Sequence, residues 1–300
     1  MRACIFSIAL LLAGCGGVVG GDAGAADAAM TRDVGDGGDA GAADAAMARD
    51  AGDGDDAGAA DAAMTRDAGD GGDAAGPEIA CDGLDVFSDP VLDGLVRQEL
   101  AVGAAAPLTA AQLAAITELE YVRGDAGTPL RSLEGAQCLT GLEVLTLDAR
   151  HLPSDTDADR IRDVTPLAGL RSLRELTIRD ASFDLTPLGS LVQLTVLRLD
   201  YAVPGTLDAP GSLDPLEPLV NLVELDASDG CVEDISALAA MTQLETLDLY
   251  SNCIRDLTPL EALTQLRTLD VTDNFYECAD VAESLAIIRG NGATVVDDCP

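Results

Sequence analysis

The sequence contains no lysine, no tryptophan and only one histidine among its 300 residues. Its 17 basic residues are therefore all arginine, and 53 acidic residues outnumber them, which gives a formal net charge of −36. Such a chain repels the phosphate backbone of nucleic acids, so nucleic acid is excluded as a partner. The same charge favours solubility and attracts basic proteins or divalent cations.

Catalytic motifs are also scarce. The sole histidine, His151, lies in an expected loop and has no candidate nucleophile at a fixed spacing. No glycine-rich phosphate loop follows an expected strand. The carboxylates are too numerous for one pair to stand out as an acid and a base. The sequence therefore predicts a protein that is not an enzyme and needs no cofactor.

The first residues have the composition of an export signal. Arg2 precedes an apolar run, Ile5 to Leu12, that is too short to span a bilayer. The run ends in Leu-Ala-Gly-Cys at Cys15, which resembles the lipobox of bacterial lipoproteins. The resemblance implies acylation of Cys15 and, because Gly16 follows instead of aspartate, attachment to the outer membrane, on its periplasmic side or at the cell surface. The alternative is an ordinary secretory signal in which the cysteine occurs by chance.

Residues 15–80 consist largely of a 17-residue repeat that begins at Asp22, Asp39 and Asp56. The repeat contains no leucine, isoleucine, phenylalanine or tryptophan, so it cannot bury enough apolar surface to offset the entropy of ordering. We expect a disordered tether that its own charge extends. The segment 53–56, Asp-Gly-Asp-Asp, lacks the alternating spacing of calcium loops, so calcium binding there is disfavoured.

From Leu119 onward the pattern Leu-x-x-Leu-x-Leu recurs at intervals of about 21 to 31 residues. A weak first copy is Leu119–Val122, and the clear copies begin at Leu142, Leu173, Leu194, Leu222, Leu244 and Leu266. The second half of each copy carries a motif of the type Asp-Leu-Thr-Pro-Leu, as at 256–260. The leucine spacing and a proline in most copies argue against amphipathic helices.

These two motifs together resemble the internalin-like class of bacterial leucine-rich repeats, over about residues 82–300. The resemblance implies an α/β fold, a leucine-rich-repeat solenoid with parallel strands on the concave face and 3-10 or turn segments on the convex face. Asn252 and Asn274 occupy the turn position that asparagine holds in the family. The other copies carry different residues there, namely Arg150, Ala181, Ala202 and Gly230. This discontinuous asparagine ladder predicts less regular turns.

Both ends of the repeat array carry expected caps, which solenoids need. Ser88 is the expected N-cap of a first helix, with Pro90 in its first turn, and a second short helix follows Thr109. At the other end, an amphipathic helix closes at Gly290 and precedes a final strand. The expected organisation is a signal peptide (1–14), a linker (15–80), an N-terminal cap (81–118), repeats (119–277) and a C-terminal cap (278–300).

Six cysteines remain if Cys4 is removed with the signal and Cys15 is acylated. An even number in an exported chain predicts disulfides, and the paired spacings of zinc ligands are absent. The repeat register narrows the 15 connectivities that six cysteines allow. Cys231 and Cys253 both follow the asparagine position on neighbouring coils, about 5 Å apart. The favoured pairs are Cys231 with Cys253, Cys278 with Cys299, and Cys81 with Cys138.

The residues between the repeat leucines define two columns on the expected concave face. The first is read as Arg123, Thr146, Thr177, Arg198, Asp226, Asp248 and Asp270, and the second as Asp125, Asp148, Arg179, Asp200, Ser228, Tyr250 and Thr272. Neighbouring aspartates at about 5 Å spacing repel by about 1 kcal/mol in water, unless a cation or a basic partner faces them. Two insertions, 150–160 and 201–211, follow strands and are expected to protrude from one edge.

These features predict a lipid-anchored envelope protein whose repeats bind a protein partner, through the acidic concave face and the two loops. The candidate partner-binding residues are Arg198, Asp200, Tyr201, Asp226, Asp248, Tyr250 and Asp270. An alternative is a structural or adhesive envelope spacer without a single ligand. Further alternatives are calcium capture by the acidic residues and a face that is simply screened by salt.

Overall fold

The computed structural model describes residues 81–124, 127–149, 159–181, 183–203, 205–207 and 209–300. The expected signal peptide, Cys15, the linker and most of the first insertion, including His151, lie outside these residues. Within the described part of the chain, no helix is long and apolar enough to cross a membrane.

One large sheet dominates this part of the chain. Its strands are β1 (Glu118–Val122), β2 (Val144–Asp148), β3 (Glu175–Arg179), β4 (Val196–Arg198), β6 (Glu224–Asp226), β8 (Thr246–Asp248), β9 (Thr268–Asp270) and β10 (Thr294–Val296). They are parallel and follow one another in sequence order across the sheet. Two short strands, β5 (Gly211–Ser212) and β7 (Val232–Asp234), form a separate parallel pair.

From β1 to β9, the chain returns from each strand of the large sheet to the next through a short 3-10 segment. These segments span Ala136–Cys138, Thr165–Leu167, Thr186–Ser190, Asp214–Leu216, Ser236–Ala240 and Thr258–Ala262. The second repeat motif supplies all of them except Ala136–Cys138. Proline stands in the first turn of four segments, where its missing N–H costs no hydrogen bond. The predicted α/β solenoid, with parallel strands and tight 3-10 turns, is confirmed.

The repeat leucines form the core because the strand register stacks equivalent positions. Leu197, Leu225, Leu247 and Leu269 are successive register partners in β4, β6, β8 and β9, and all four are buried. Burying a leucine side chain contributes about 1.5–3 kcal/mol. Since each coil covers the core of the next, the apolar column is continuous from cap to cap.

The first repeat is shifted relative to the sequence prediction. Strand β1 pairs Leu119 with Leu145 and Glu120 with Thr146. Glu120 therefore occupies the first column in this coil, and the prediction of Arg123 there was wrong by three residues. The reason is that Leu119 is the second repeat leucine of its coil, whereas the sequence pattern suggested that it is the first.

Helix α1 (Pro90–Glu99) and helix α2 (Ala110–Leu113) form the N-terminal cap. The N-cap of α1 is Asp89, so the prediction of Ser88 was wrong. The extended Asp89 accepts a hydrogen bond from the Val91 amide at 2.8 Å, and its other oxygen accepts from the Arg131 amide at 2.9 Å. A carboxylate one residue before a proline at N1 reaches these donors, which the serine one residue earlier does not.

Helix α2 begins after Thr109 as predicted. The Thr109 hydroxyl accepts from the Gln112 amide, and the Gln112 side chain accepts from the Thr109 amide, which is a capping box. At the other end, helix α3 (Cys278–Gly290) precedes β10. Gly292, between them, has φ +104, a conformation that residues with a Cβ rarely adopt.

A left-handed residue recurs after the strands. These residues are Asp180, Tyr201, Asp229, Ser251 and Asp273, with φ between +53 and +57. Positive φ is uncommon outside glycine, asparagine and aspartate. It occurs in both coils with the turn asparagine and in three coils without it, but not at Ala149, the equivalent residue of the second coil. The left-handed residue therefore does not depend on the asparagine alone, and the turns are not identical along the array.

The turn asparagine of the best repeat is an internal hydrogen-bonding hub. Asn252 is 0% exposed. Its Oδ1 accepts from the amides of Gly230 and Val232, and its Nδ2 donates to the carbonyls of Ala227 and Leu249, at 2.8–3.2 Å. One coil earlier the equivalent position is Gly230, because a Cβ there would lie 2.8 Å from the Val203 side chain.

Three disulfides connect neighbouring parts of the solenoid, with Cα–Cα distances of 4.7–5.5 Å. The pairs are those favoured from the sequence: Cys81–Cys138, Cys231–Cys253 and Cys278–Cys299. Two of them fasten the caps, and the third joins adjacent turns. By limiting the unfolded chain, a disulfide typically stabilises a fold by about 2–4 kcal/mol.

Candidate functional site

The solvent-facing side of the eight-stranded sheet, called the concave face below, carries a row of three aspartates. Asp226, Asp248 and Asp270 end β6, β8 and β9 and are direct register partners. Neighbouring strands lie about 4.8 Å apart, so the three carboxylates are stacked at roughly this interval. We call these three residues the acidic stripe. The structure places them in one row, as the repeat register predicts.

Each stripe residue also has a local structural role. The Oδ1 atoms of Asp226, Asp248 and Asp270 accept hydrogen bonds from the amides two residues later, at 3.1, 2.9 and 2.9 Å. In two cases a hydroxyl also donates to the same oxygen, from Ser228 at 2.7 Å and Thr272 at 2.6 Å. These bonds fix the start of the turn. Sequence reasoning missed this role, although Asp-x-Ser and Asp-x-Thr were the available signals.

Arg198 lies in the same row as the acidic stripe, one strand earlier, and faces Asp226 in the register. Its Nε donates to the Glu224 carboxylate at 2.6 Å, and both side chains are 32% exposed. The arginine charge is therefore paired within the face. The row therefore changes from an arginine on β4, which is paired with a glutamate outside the row, to aspartates on β6, β8 and β9.

Asp200 is the most perturbed acid of this region. Burial raises its pKa to about 6, and repulsion from Asp226, Asp229 and Asp180 adds to the rise, whereas Arg179 opposes it. The Asp200 side chain is 31% exposed and lies 3.7 Å from the Arg179 Nε. Because a pKa near 6 lies close to neutral pH, this carboxyl changes its charge under mild acidification.

Two further acids near Asp200 are perturbed for the same reasons. Burial raises the pKa of Asp248, and Asp226, Asp270 and Asp229 add to the rise, although a hydrogen bond from the Tyr250 amide opposes it. Burial also raises the pKa of Asp229, and hydrogen bonds from Ser251 and Tyr201 oppose it. The negative charges of the stripe and of the neighbouring aspartates therefore repel one another, and a positive charge beside them would reduce this repulsion.

Two exposed tyrosines border the stripe. Tyr201 and Tyr250 are 48% and 38% exposed. Burial and the hydrogen-bonded Asp229 raise the pKa of Tyr201 to about 12. Its hydrogen bond to Asp273 is the main cause that raises the pKa of Tyr250. Each hydroxyl thus lies close to a carboxylate, and both rings keep exposed surface.

The second insertion is packed onto the next coil over much of its length. Ala202 and Val203 are buried, and the Gly211 amide donates to the Cys231 carbonyl at 2.9 Å. Gly205 approaches so closely that a Cβ would lie 2.4 Å from the Gly230 carbonyl oxygen. Leu207, near the tip, is exposed. Within the described residues, only the tip of this second insertion is therefore available for contact. Most of the first insertion lies outside the described residues.

Across the described ranges, no group of three or more histidine, cysteine, aspartate or glutamate side chains is arranged to hold a metal ion. The stacking of the stripe along the sheet explains this result for its own residues. Carboxylates in one row, each tied to its own turn, do not converge on a point, whereas calcium takes six to eight oxygen ligands around one centre.

Comparison with known proteins agrees with the architecture. A family model described as leucine-rich repeats (2 copies) matches residues 242–281, and no curated protein matches the chain. Among solved structures, internalin C2 of Listeria monocytogenes is 24% identical, with 72% of this chain and 95% of that one covered and a TM-score of 0.48. A second internalin of that bacterium is 23% identical, with 71% and 69% covered and a TM-score of 0.42.

A leucine-rich-repeat protein of Leptospira interrogans is also similar. It is 17% identical, with 64% of this chain and 44% of that one covered and a TM-score of 0.50. At this level of identity the similarity concerns the fold. Together with the matched repeats and the parallel sheet, it shows that residues 81–300 form a leucine-rich-repeat solenoid.

Proposed function

We propose that this protein is a non-enzymatic binding protein that holds a basic protein partner on its concave face. The acidic stripe carries the proposal, because three stacked carboxylates repel one another and a row of cationic side chains would relieve that repulsion. Asp200 and Arg198 would extend the contact toward the N-terminal coils. Leucine-rich-repeat solenoids provide extended concave surfaces of this kind.

Tyr201 and Tyr250 would supply the apolar part of the contact. Tyrosine is enriched at binding hot spots because its ring buries a large area with little loss of side-chain freedom. Asp229 and Asp273 lie close to the two hydroxyls. An arginine or lysine of the partner could therefore stack on a ring and pair with an adjacent carboxylate.

We further propose that Cys15 is acylated and anchors the chain in the outer membrane, with residues 16–80 as a tether. A flexible coil of roughly 60 residues spans about 45 Å, and its own charge would extend it. The tether would hold the binding face away from the lipid surface. Labelling with radioactive palmitate should mark the full chain and leave a Cys15→Ser variant unlabelled.

The decisive experiment compares two sets of aspartates with the same local chemistry. The test variant replaces Asp226, Asp248 and Asp270 together with asparagine. The control replaces Asp163, Asp184 and Asp256, which are also bonded to the amide two residues later but precede 3-10 segments on the other side of the coils. Both variants lose three charges. The bait in each case is the full chain carrying Cys15→Ser.

Affinity capture from envelope extracts, followed by titration of the recovered protein, gives the readout. We expect the stripe variant to bind about tenfold or more weakly and the control to bind within about twofold of the parent chain. An equal loss of affinity in both variants would show that binding depends only on the net charge of the chain. If neither variant loses binding, and a shortened linker alone changes envelope properties, the chain acts as a spacer.

A further inference from the structure

Strand β1 forms one edge of the eight-stranded sheet, and its backbone shows which groups face outward. The Thr117 carbonyl accepts from the Val144 amide at 3.0 Å, and the Arg123 amide donates to the Asp148 carbonyl at 3.0 Å. In a parallel pair, alternate residues direct their N–H and C=O groups to the same neighbour. The backbone groups of Glu118, Glu120 and Val122 therefore point away from β2, toward the free edge.

These outward groups have no partner strand. Among the described residues, no strand pairs with β1 other than β2, and no turn or loop residue bonds to the backbone of Glu118, Glu120 or Val122. Native proteins normally protect an exposed edge by bulges, proline, short length or charge. Strand β1 has five residues in regular register with β2, so bulges, proline and short length do not protect it. Its protection comes from charge and from helix α1, which lies beside it.

Helix α1 lies beside this edge and leaves a groove. The helix side of the groove is lined by Val91, Leu95 and Gln98, and the strand side by Glu118, Glu120 and Val122. Val91 and Leu95 are half-buried and pack against the core, so they give the groove an apolar wall. Val122 is 49% exposed and adds apolar surface on the strand side.

The rim of the groove is acidic. Glu99, Glu118 and Glu120 are exposed, and they lie at the groove from the helix and from the strand. Two copies of this chain paired edge to edge along β1 would bring their Glu118 and Glu120 side chains together, and like charges opposite one another destabilise a strand pair. The charge therefore opposes self-pairing and favours a basic segment.

We propose that the groove between α1 and β1 binds an extended segment of a partner protein, which adds to the sheet as a ninth strand and carries alternating basic and apolar side chains. Side chains of an added strand point alternately to the two faces of the sheet. The apolar ones would contact Val91 and Leu95, and the basic ones would lie beside Glu118 and Glu120. Main-chain hydrogen bonds would supply affinity, and the side chains specificity. This site is separate from the acidic stripe.

The test uses a synthetic peptide, acetyl-Arg-Val-Arg-Val-Arg-Val-amide, and the full chain carrying Cys15→Ser. Amide hydrogen exchange is followed residue by residue by NMR. In the free protein, the amides of Glu120 and Val122 should exchange fast and those of Leu119 and Tyr121 slowly. With saturating peptide, we expect exchange at Glu120 and Val122 to slow about tenfold or more. Slow exchange at Glu120 without peptide, or no change with it, would overturn the proposal.

Modified peptides separate strand addition from attraction between charges. Two versions of the peptide are N-methylated, one at the odd-numbered residues and the other at the even-numbered residues. Both keep all side chains, but only one of them loses the N–H donors that would face β1. We expect that copy to bind about fivefold more weakly for each hydrogen bond removed, and the other to bind like the parent peptide. A peptide with glutamate in place of arginine should not bind. Equal affinity of both methylated copies would overturn the proposal.

Two variants of the chain complete the test. Glu120→Gln removes the charge and keeps the amide, whereas Glu120→Pro also removes the outward N–H, which an edge strand tolerates. We expect Glu120→Pro to bind more weakly than Glu120→Gln; equal affinities would contradict the bonding pattern. If the proline variant does not fold, the methylated peptides decide. The stripe variant of Asp226, Asp248 and Asp270 should bind the peptide with the affinity of the parent chain, and the peptide should still slow amide exchange at Glu120 and Val122. The groove proposal and the concave-face proposal can therefore fail independently.

Discussion

Two rows of side chains run beside each other in the C-terminal coils and differ by little more than one atom per residue. Asn252 and Asn274 occupy the turn position, and both bind three backbone carbonyls through Nδ2. The acidic stripe lies on the concave face, where each Oδ1 accepts from a backbone amide. An amide both donates and accepts and can therefore be buried, whereas a carboxylate only accepts and needs water or a cation for its remaining capacity.

The comparison separates stability from binding. In the asparagine row, the side-chain groups are used inside the fold, so little is left for a partner. In the acidic stripe, a single oxygen holds the turn and the charge remains at the surface. Exchanging the two side-chain types should therefore give very different results in the two rows.

The largest effect is expected for Asn252→Asp. The substitution places a carboxylate oxygen against the carbonyls of Ala227, Leu249 and Tyr250, which now receive Nδ2 at 2.8–3.3 Å. Breaking such a buried polar network should lower the free energy of unfolding by about 3–5 kcal/mol at neutral pH. Urea denaturation measures the loss, which should shrink at low pH as the carboxyl becomes protonated.

Asn274→Asp is the control for that variant. Asn274 makes the same kind of contacts but is only half-buried, so its substitution should cost clearly less. Equal losses at the two positions would show that burial does not distinguish them.

A smaller effect is expected for Asp200→Asn. The folded-state pKa of Asp200 is raised to about 6 from an ordinary value of 3.8, so the folded state binds the proton more tightly. The stability from this group is present below about pH 4 and is lost as the pH rises through 6. At pH 7 the variant should therefore melt about 2–4 °C higher, which corresponds to roughly 1 kcal/mol in a domain of this size.

The melting temperature of Asp200→Asn should also depend less on pH between 4 and 7 than that of the parent chain. Asp184→Asn is the matched control, because hydrogen bonds from Thr186 lower the pKa of Asp184, and its replacement should not stabilise the fold at pH 7. If the melting temperatures of the parent chain and Asp200→Asn depend on pH in the same way, the raised pKa of Asp200 is refuted.

The smallest effect on stability is expected for Asp248→Asn. The asparagine oxygen can still accept from the Tyr250 amide, and one charge of a repelling row disappears. The free energy of unfolding should change by less than about 0.5 kcal/mol. A loss comparable to that of Asn252→Asp in the same urea titration would mean that the stripe serves the fold and is not kept for a partner.

The sequence was sufficient for the solenoid because the leucines and the 3-10 motif recur in step. Once the register is known, Cys231 must lie beside Cys253 and Asp226 beside Asp248. The end of the array was harder, since Leu119 has few repeat neighbours to fix its register, and Arg123 was assigned to the first column in place of Glu120. Likewise Asp89 caps α1 through contacts that depend on Arg131, about 40 residues away.

The details of the candidate site depended on contacts between coils, which a pattern does not contain. The half-buried position of Asp200 follows from its place between Arg179 and Asp226 on adjacent coils. The second insertion was expected to protrude, and its inner part instead packs against Gly230. Neither result could be read from the composition of the segments concerned.

The strand register has a consequence for the evolution and engineering of this fold. Glu224, Thr246 and Thr268 are successive register partners, spaced 22 residues apart along the chain. A segment of that length can therefore be removed or duplicated as one coil. A deletion or duplication that starts and ends at equivalent positions of two coils changes the length of the sheet by one strand spacing, about 4.8 Å. The face offered to a partner can thus be lengthened in discrete steps, each adding one more side chain to every row.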